Sequence, residues 1–118
     1  FKKSNKISKV IYPTIKKSNI TINKYFTKGL YGNLVGFHLK DGYDACKKFI
    51  DSLQLFYHVA NIGDVRSLAI HPSSTTHSQL SIEDQNRAGV FKDYIRLSVG
   101  IEHQDDIISD VKNALECL

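Results

Sequence analysis

The sequence predicts a layered α/β domain, a small sheet with helices packed on it. Two observations carry this expectation. Short extended runs such as residues 33–39 (NLVGFHL) and 94–99 (YIRLSV) lie between turn residues. Around them, residues 45–53 and 107–118 place apolar side chains at three- and four-residue spacing, the period of a helix with one buried face. A chain of 118 residues is one domain by length. It can bury roughly two-thirds of the surface that its unfolded form exposes. With 42% hydrophobic and 24% charged residues, the composition is globular rather than disordered.

The elements follow in order. Residues 8–12 (SKVIY) read as a short strand stopped by Pro13, which pushes Tyr12 towards extended backbone. Residues 14–28 leave two readings open: Ile20 and Ile22 alternate as in a strand, while a helical turn through 23–28 ending at Gly29 fits as well. Gly29 and Gly32 bracket a loop before the strand at 33–39, which the Asp41-Gly42 turn closes. In the next helix Ala45, Cys46, Phe49, Ile50 and Leu53 share one face, with Lys47, Lys48 and Asp51 opposite. Residues 56–59 resume extended structure, and residues 67–70 (SLAI) form another strand ended by His71-Pro72. Ser81 is the expected N-cap of a helix carrying Glu83 and Asp84 in its first turn and closing near Gly89. In 94–99, Arg96 and Ser98 fall on one face, with Ile95, Leu97 and Val99 on the other. The last helix carries the stripe Ile107, Ile108, Val111, Ala114, Leu115 and Leu118, ringed by Asp105, Asp106, Asp110, Lys112 and Glu116.

Charge is distributed unevenly. Nine lysines and no acidic residue precede position 41, whereas the remainder holds seven basic and twelve acidic residues. Such a bias can mark a nucleic-acid-binding arm. The lysines are spread out, however, no arginine accompanies them, and Tyr12, Tyr25 and Phe26 form no stacking platform, so a solvated basic face is the expectation and nucleic acid is not the expected partner. No apolar run approaches the ~20 residues that a bilayer crossing needs, so no membrane association is expected. The basic start lacks a signal-peptide h-region, and beginning on Phe1 rather than Met suggests a fragment. Cys46 and Cys117 are 71 positions apart, each inside a predicted helix, which suggests buried or half-buried inert thiols in a reducing cytoplasm.

Chemistry concentrates between Asn61 and His103. Arg96 stands mid-strand between two apolar residues, a place that excludes charge unless it is paired. Its partner is either an internal carboxylate or a ligand's carboxylate or phosphate. His71, His77 and His103 match no zinc spacing, so no metal is expected, and His71 before Pro72 reads as a turn residue or a support for neighbouring groups. Ser98, His77 and Asp105 could be assembled into a nucleophilic triad, but no GxSxG elbow is present. Residues 29–32 (GLYG) lack the frame of a phosphate loop.

The same residues carry a resemblance. The run 61–80 (NIGDVRSLAIHPSSTTHSQL), then 88–90 (AGV) and 95–103 (IRLSVGIEH), resembles the C-terminal domain of the Cys/Met-metabolism PLP-dependent enzymes, and among them the O-acetylhomoserine sulfhydrylases. It extends back through KYFTKG, LKDG and KFID and forward through DDI, weakening only in the basic segment 1–22. The resemblance implies that residues 23–118 form a substrate-carboxylate-binding domain of a fold-type I transferase: a small, mainly antiparallel sheet with helices on one face, docked beside a larger cofactor domain that this chain lacks. It implies that Arg96 holds the substrate's α-carboxylate, with Asn61 and Thr76 near the same end. Related lyases have serine at the position of Asn61, and many members have alanine where Ser73 stands. The pyridoxal-phosphate-binding lysine and the other cofactor contacts precede this region in the family, so no catalytic or cofactor-binding residue is expected here. The whole enzyme would make homocysteine from O-acetylhomoserine and sulfide as a homotetramer. This chain, alone, would orient substrate and not turn over. The alternative expectation is a noncatalytic remnant, or a standalone module binding an anion or nucleic acid through the Lys-rich segment 1–40.

Overall fold

The computed structural model describes residues 4–15, 26–27 and 29–118. Six of the nine N-terminal lysines and most of the ambiguous segment 14–28 lie outside the described residues. Five strands form one sheet: β1 (Ile7–Ile11), β2 (Leu34–Leu39), β3 (Tyr57–His58), β4 (Leu68–Ile70) and β5 (Tyr94–Ser98), in the order β1-β2-β5-β4-β3. All neighbours run antiparallel except β3 and β4. Three helices accompany it: α1 (Gly42–Ser52), α2 (Ile82–Arg87) and α3 (Gln104–Glu116), with a 3₁₀ turn at Pro72–Ser74. This is the α/β arrangement that the sequence predicts, with the mainly antiparallel sheet that the family resemblance implies.

Period-two alternation divides the sheet into two faces. Phe37 and Leu39 of β2, Ala69 of β4 and Ile95 and Leu97 of β5 point to one side and are almost fully buried. Against them pack Ala45, Cys46, Phe49 and Ile50 of α1 and Val111, Ala114 and Leu115 of α3. Phe37 and Phe49 meet edge to face at 5.4 Å, the geometry aromatic quadrupoles favour. The predicted stripes of both helices therefore lie against the sheet except at Ile108, which is exposed because it sits at the edge of its helix's apolar face, and truncating a central ring such as Phe49 would cost about 3–5 kcal/mol. Ser81 caps α2 as predicted, accepting the Asp84 amide at 3.2 Å, and Gly89 closes it at φ +73°. At Asp41-Gly42 the chain enters α1 directly, Gly42 supplying a φ of +71°.

Two further features depart from the sequence expectation. Asp110, placed on the polar side of the last helix, is buried, its carboxylate accepting the amides of Gln54, Leu55 and Phe56 at 2.9, 3.0 and 3.4 Å. The chain leaving α1 has no helical or strand partner for those amides, so a carboxylate from α3 satisfies them. The other departure is Cys117, which follows the last turn of α3 and is exposed, while Cys46 is buried as expected. Burial, aided by the charge of Asp93, pushes the Cys46 thiol up to about 12. Among the described residues, no helix is long and apolar enough to cross a membrane.

Candidate functional site

The sheet face away from α1 and α3 carries Leu34, Gly36 and His38 of β2 beside Tyr94, Arg96 and Ser98 of β5. Gly36 lies directly opposite Arg96, and a side chain on Gly36 would strike the ring of Tyr94. Glycine thus leaves room for that ring against β2. Burial raises the Tyr94 phenol above its usual range, against the opposing effect of the Arg96 charge. His38 packs 5.2 Å from the Tyr94 ring and holds Asp93 through Nδ1 at 3.0 Å.

Arg96 donates from Nη2 to the backbone carbonyl of Asn61 at 3.2 Å. Its Nε is buried without a hydrogen-bond partner, and among the described residues no carboxylate pairs with it. An internal ion pair, one of the two partners left open by the sequence, is therefore not what the described residues provide. A half-buried guanidinium with an unused donor is costly unless an anion completes it. It opens onto a cavity of about 540 Å³ walled by Ile11, Tyr12, Phe26, Tyr31 and Tyr94, with Arg96 the one charged side chain among its described lining residues.

The loop between β3 and β4 closes over this end of β5. Ser98 Oγ accepts from the Gly63 amide and from Asn33 Nδ2, both at 3.2 Å. Asn33 also donates to the Val99 carbonyl at 3.1 Å, tying the start of β2 to the end of β5. Asp64 accepts from the Arg66 amide at 2.9 Å and from its guanidinium at 3.3 Å, and these bonds lower the Asp64 carboxyl below its ordinary value. The guanidinium of Arg66 also covers the Tyr57 ring at 4.8 Å.

Glu102, which sequence reasoning passed over, fixes the far end of that loop. Its Oε1 accepts the Ser67 amide at 2.7 Å and its Oε2 the Ser67 hydroxyl at 2.8 Å. Burial works to raise the Glu102 carboxyl, but the hydrogen bonds from Ser67 and from its own amide outweigh it and hold the group below the usual carboxylate range. The available signal was a carboxylate three residues past the strand, just before the first turn of a helix, with no cation nearby in sequence.

The three expected site residues meet different fates. Arg96 is at the cavity. Asn61 meets Arg96 through its main-chain carbonyl, and its side-chain Oδ1 is taken by the Ile62 amide at 2.8 Å. Thr76 is exposed, with its hydroxyl 2.8 Å from His77 Nδ1, and no hydrogen bond joins it to Arg96. Ser98 is engaged by Asn33 and Gly63 rather than by His77, so the paper triad is not assembled. His71 is fully buried and structural: Nε2 donates to the Lys92 carbonyl and Nδ1 accepts from Ser74, both at 2.8 Å, and burial lowers its pKa. Ser73 donates to Gln85 Oε1 at 2.6 Å, and Gln85 Nε2 returns bonds to the carbonyls of Ser73 and His77.

Comparison with known proteins places the chain in a family. A model of the Cys/Met metabolism PLP-dependent enzymes matches residues 1–116. The chain belongs to that family. It is 51% identical over 116 residues to an O-acetyl-L-homoserine sulfhydrylase of Leptospira meyeri, covering 97% of this chain and 26% of that protein. Against the homocysteine synthase of Schizosaccharomyces pombe it is 45% identical, covering 97% and 27%. A crystal structure from Campylobacter jejuni, assigned as an O-acetylhomoserine (thiol)-lyase and carrying N'-pyridoxyl-lysine-5'-monophosphate, superposes with a TM-score of 0.84 at 46% identity, over 98% of this chain and 28% of the other. The chain thus spans about a quarter of the length of the relatives it matches.

Of the described lysines Lys6 is half-buried and the rest are exposed, and none lines the cavity. The described residues therefore offer no enclosed amine for the cofactor's aldehyde. What they do offer is a guanidinium with a buried free donor beside an aromatic wall, an arrangement that can take an anion.

Proposed function

We propose that this chain is the C-terminal, substrate-carboxylate-binding part of a PLP-dependent O-acetylhomoserine sulfhydrylase, making homocysteine from O-acetylhomoserine and sulfide. The carrying observation is Arg96, whose guanidinium has, among the described residues, a buried Nε without a partner and no acidic residue to neutralise it. Two parallel N–H···O bonds to a carboxylate would complete it and fix the plane of the amino acid. That fixes the direction of the bond to be broken, the contribution expected of a positioning domain when a cofactor supplies the electronic chemistry. In this reading Asn61 holds Arg96 through its carbonyl, and Thr76, on the exposed loop, adds a contact at the carboxylate end.

The whole enzyme is read as a cytoplasmic homo-oligomer in which residues 23–118 dock beside an upstream cofactor domain. The likeness to sulfhydrylases along 97% of the chain supports this, and the free thiols Cys46 and Cys117 suit a reducing compartment. The test is to express the chain with its upstream coding sequence and measure sulfide-dependent homocysteine formation from O-acetylhomoserine. Activity in the full-length protein that falls at least 30-fold in kcat/KM on Arg96→Ala supports the reading, and unchanged kcat/KM in that variant removes it.

A further inference from the structure

Arg96 is held by a loop, so whatever sets the loop sets the guanidinium. The loop leaves β3 at Val59 and enters β4 at Leu68, and between them the Asn61 carbonyl accepts from Arg96. Its second half is stitched to the chain that follows β5. Val65 accepts the Ile101 amide at 2.9 Å, Ser67 Oγ accepts the Gly100 amide at 2.9 Å, and the Glu102 carboxylate grips both the amide and the hydroxyl of Ser67. Gly100 is where the two segments touch: a side chain there would meet the Val65 carbonyl, the Arg66 backbone and the Glu102 carboxylate. Ser67 is fully buried, so its two donors have no water to fall back on.

From this connectivity we infer that Glu102 is a positioning residue for the substrate-carboxylate anchor: through Ser67 it locks the β3–β4 loop in the register that presents the Asn61 carbonyl to Arg96. This deepens, and rests on, the carboxylate-anchor reading of Arg96. Glu102 makes no hydrogen bond to Arg96, and it acts through the loop. With the loop free to shift, Arg96 loses its one acceptor among the described residues and samples orientations in which a bidentate carboxylate no longer fits, which weakens substrate binding more than any later step.

A double-mutant cycle in the full-length protein tests this, with O-acetylhomoserine as the probe. Glu102→Gln keeps the side chain's length but replaces one acceptor oxygen by a donor, and should raise KM about 5- to 20-fold while leaving kcat within about twofold. In an Arg96→Ala background the same change should have no further effect on KM, because the group it positions is gone. Ser67→Ala, which removes the hydroxyl and leaves the carboxylate, should show the same pattern and serves where Glu102→Gln does not fold. If the Glu102→Gln and Ser67→Ala effects on KM persist undiminished without Arg96, or are absent with it, the positioning role is overturned while the anchor stands. If Arg96→Ala itself leaves KM unchanged, the anchor reading fails, and this inference fails with it.

Discussion

The guanidinium of Arg96 donates to the main-chain carbonyl of Asn61, 3.2 Å away, and not to the Asn61 side chain. A main-chain acceptor survives substitution of its own side chain. Asn61→Ala in the full-length enzyme should therefore change KM for the amino-acid substrate by less than about threefold, whereas losing the charge of Arg96 should cost about 2–5 kcal/mol of kcat/KM, much of it from an anion left unpaired. Steady-state kinetics on the two variants check the contrast.

Asp110 is the buried group whose removal should hurt stability most for its size. It satisfies three amides after α1, and no other described acceptor reaches them. Asp110→Ala should destabilise the protein by about 2–4 kcal/mol, and Asp110→Asn, which keeps one carbonyl oxygen, by less. Urea unfolding midpoints measure both.

His71 gives a pH dependence with a definite sign. Burial lowers its pKa in the folded protein below the ordinary 6.5, so the unfolded chain takes up its proton first. Its contribution is fully present above about pH 6.5 and is lost as pH falls through that value towards the lowered folded one. Stability measured at pH 7.5 and 5.5 should drop in the native protein. In His71→Asn, already weakened at both values, the drop should shrink.

The two thiols should behave oppositely. Cys46 is buried with its pKa pushed up to about 12, and Cys117 is exposed. Brief alkylation at pH 8 followed by peptide mapping should label Cys117 and leave Cys46 intact until denaturant is added.

The parts of this fold that were legible in sequence were those set by periodicity. Ile95 and Leu97 against Arg96 and Ser98, and the stripe through Phe49 and Ile50, announce their faces because strand and helix geometry are local. Asp110 and Glu102 were not legible, since each serves backbone amides at least 35 positions away, and the composition of a helix face says nothing about such partners. The unusual placement of Arg96 was visible, but its lack of an acidic partner is a tertiary fact. Cys117 misled because the helical pattern runs to Leu118 while the helix ends at Glu116.

The central claim is that Arg96 recognises a carboxylate, and the most direct measurement compares O-acetyl-L-homoserine with its α-carboxamide in the full-length enzyme, with and without Arg96→Ala. The native protein should favour the carboxylate by roughly 30-fold or more in kcat/KM, the lower end of what a buried charge pair supplies, and Arg96→Ala should bring the two substrates within a few-fold of each other. Discrimination that survives intact in Arg96→Ala would place carboxylate recognition on another residue and contradict the account.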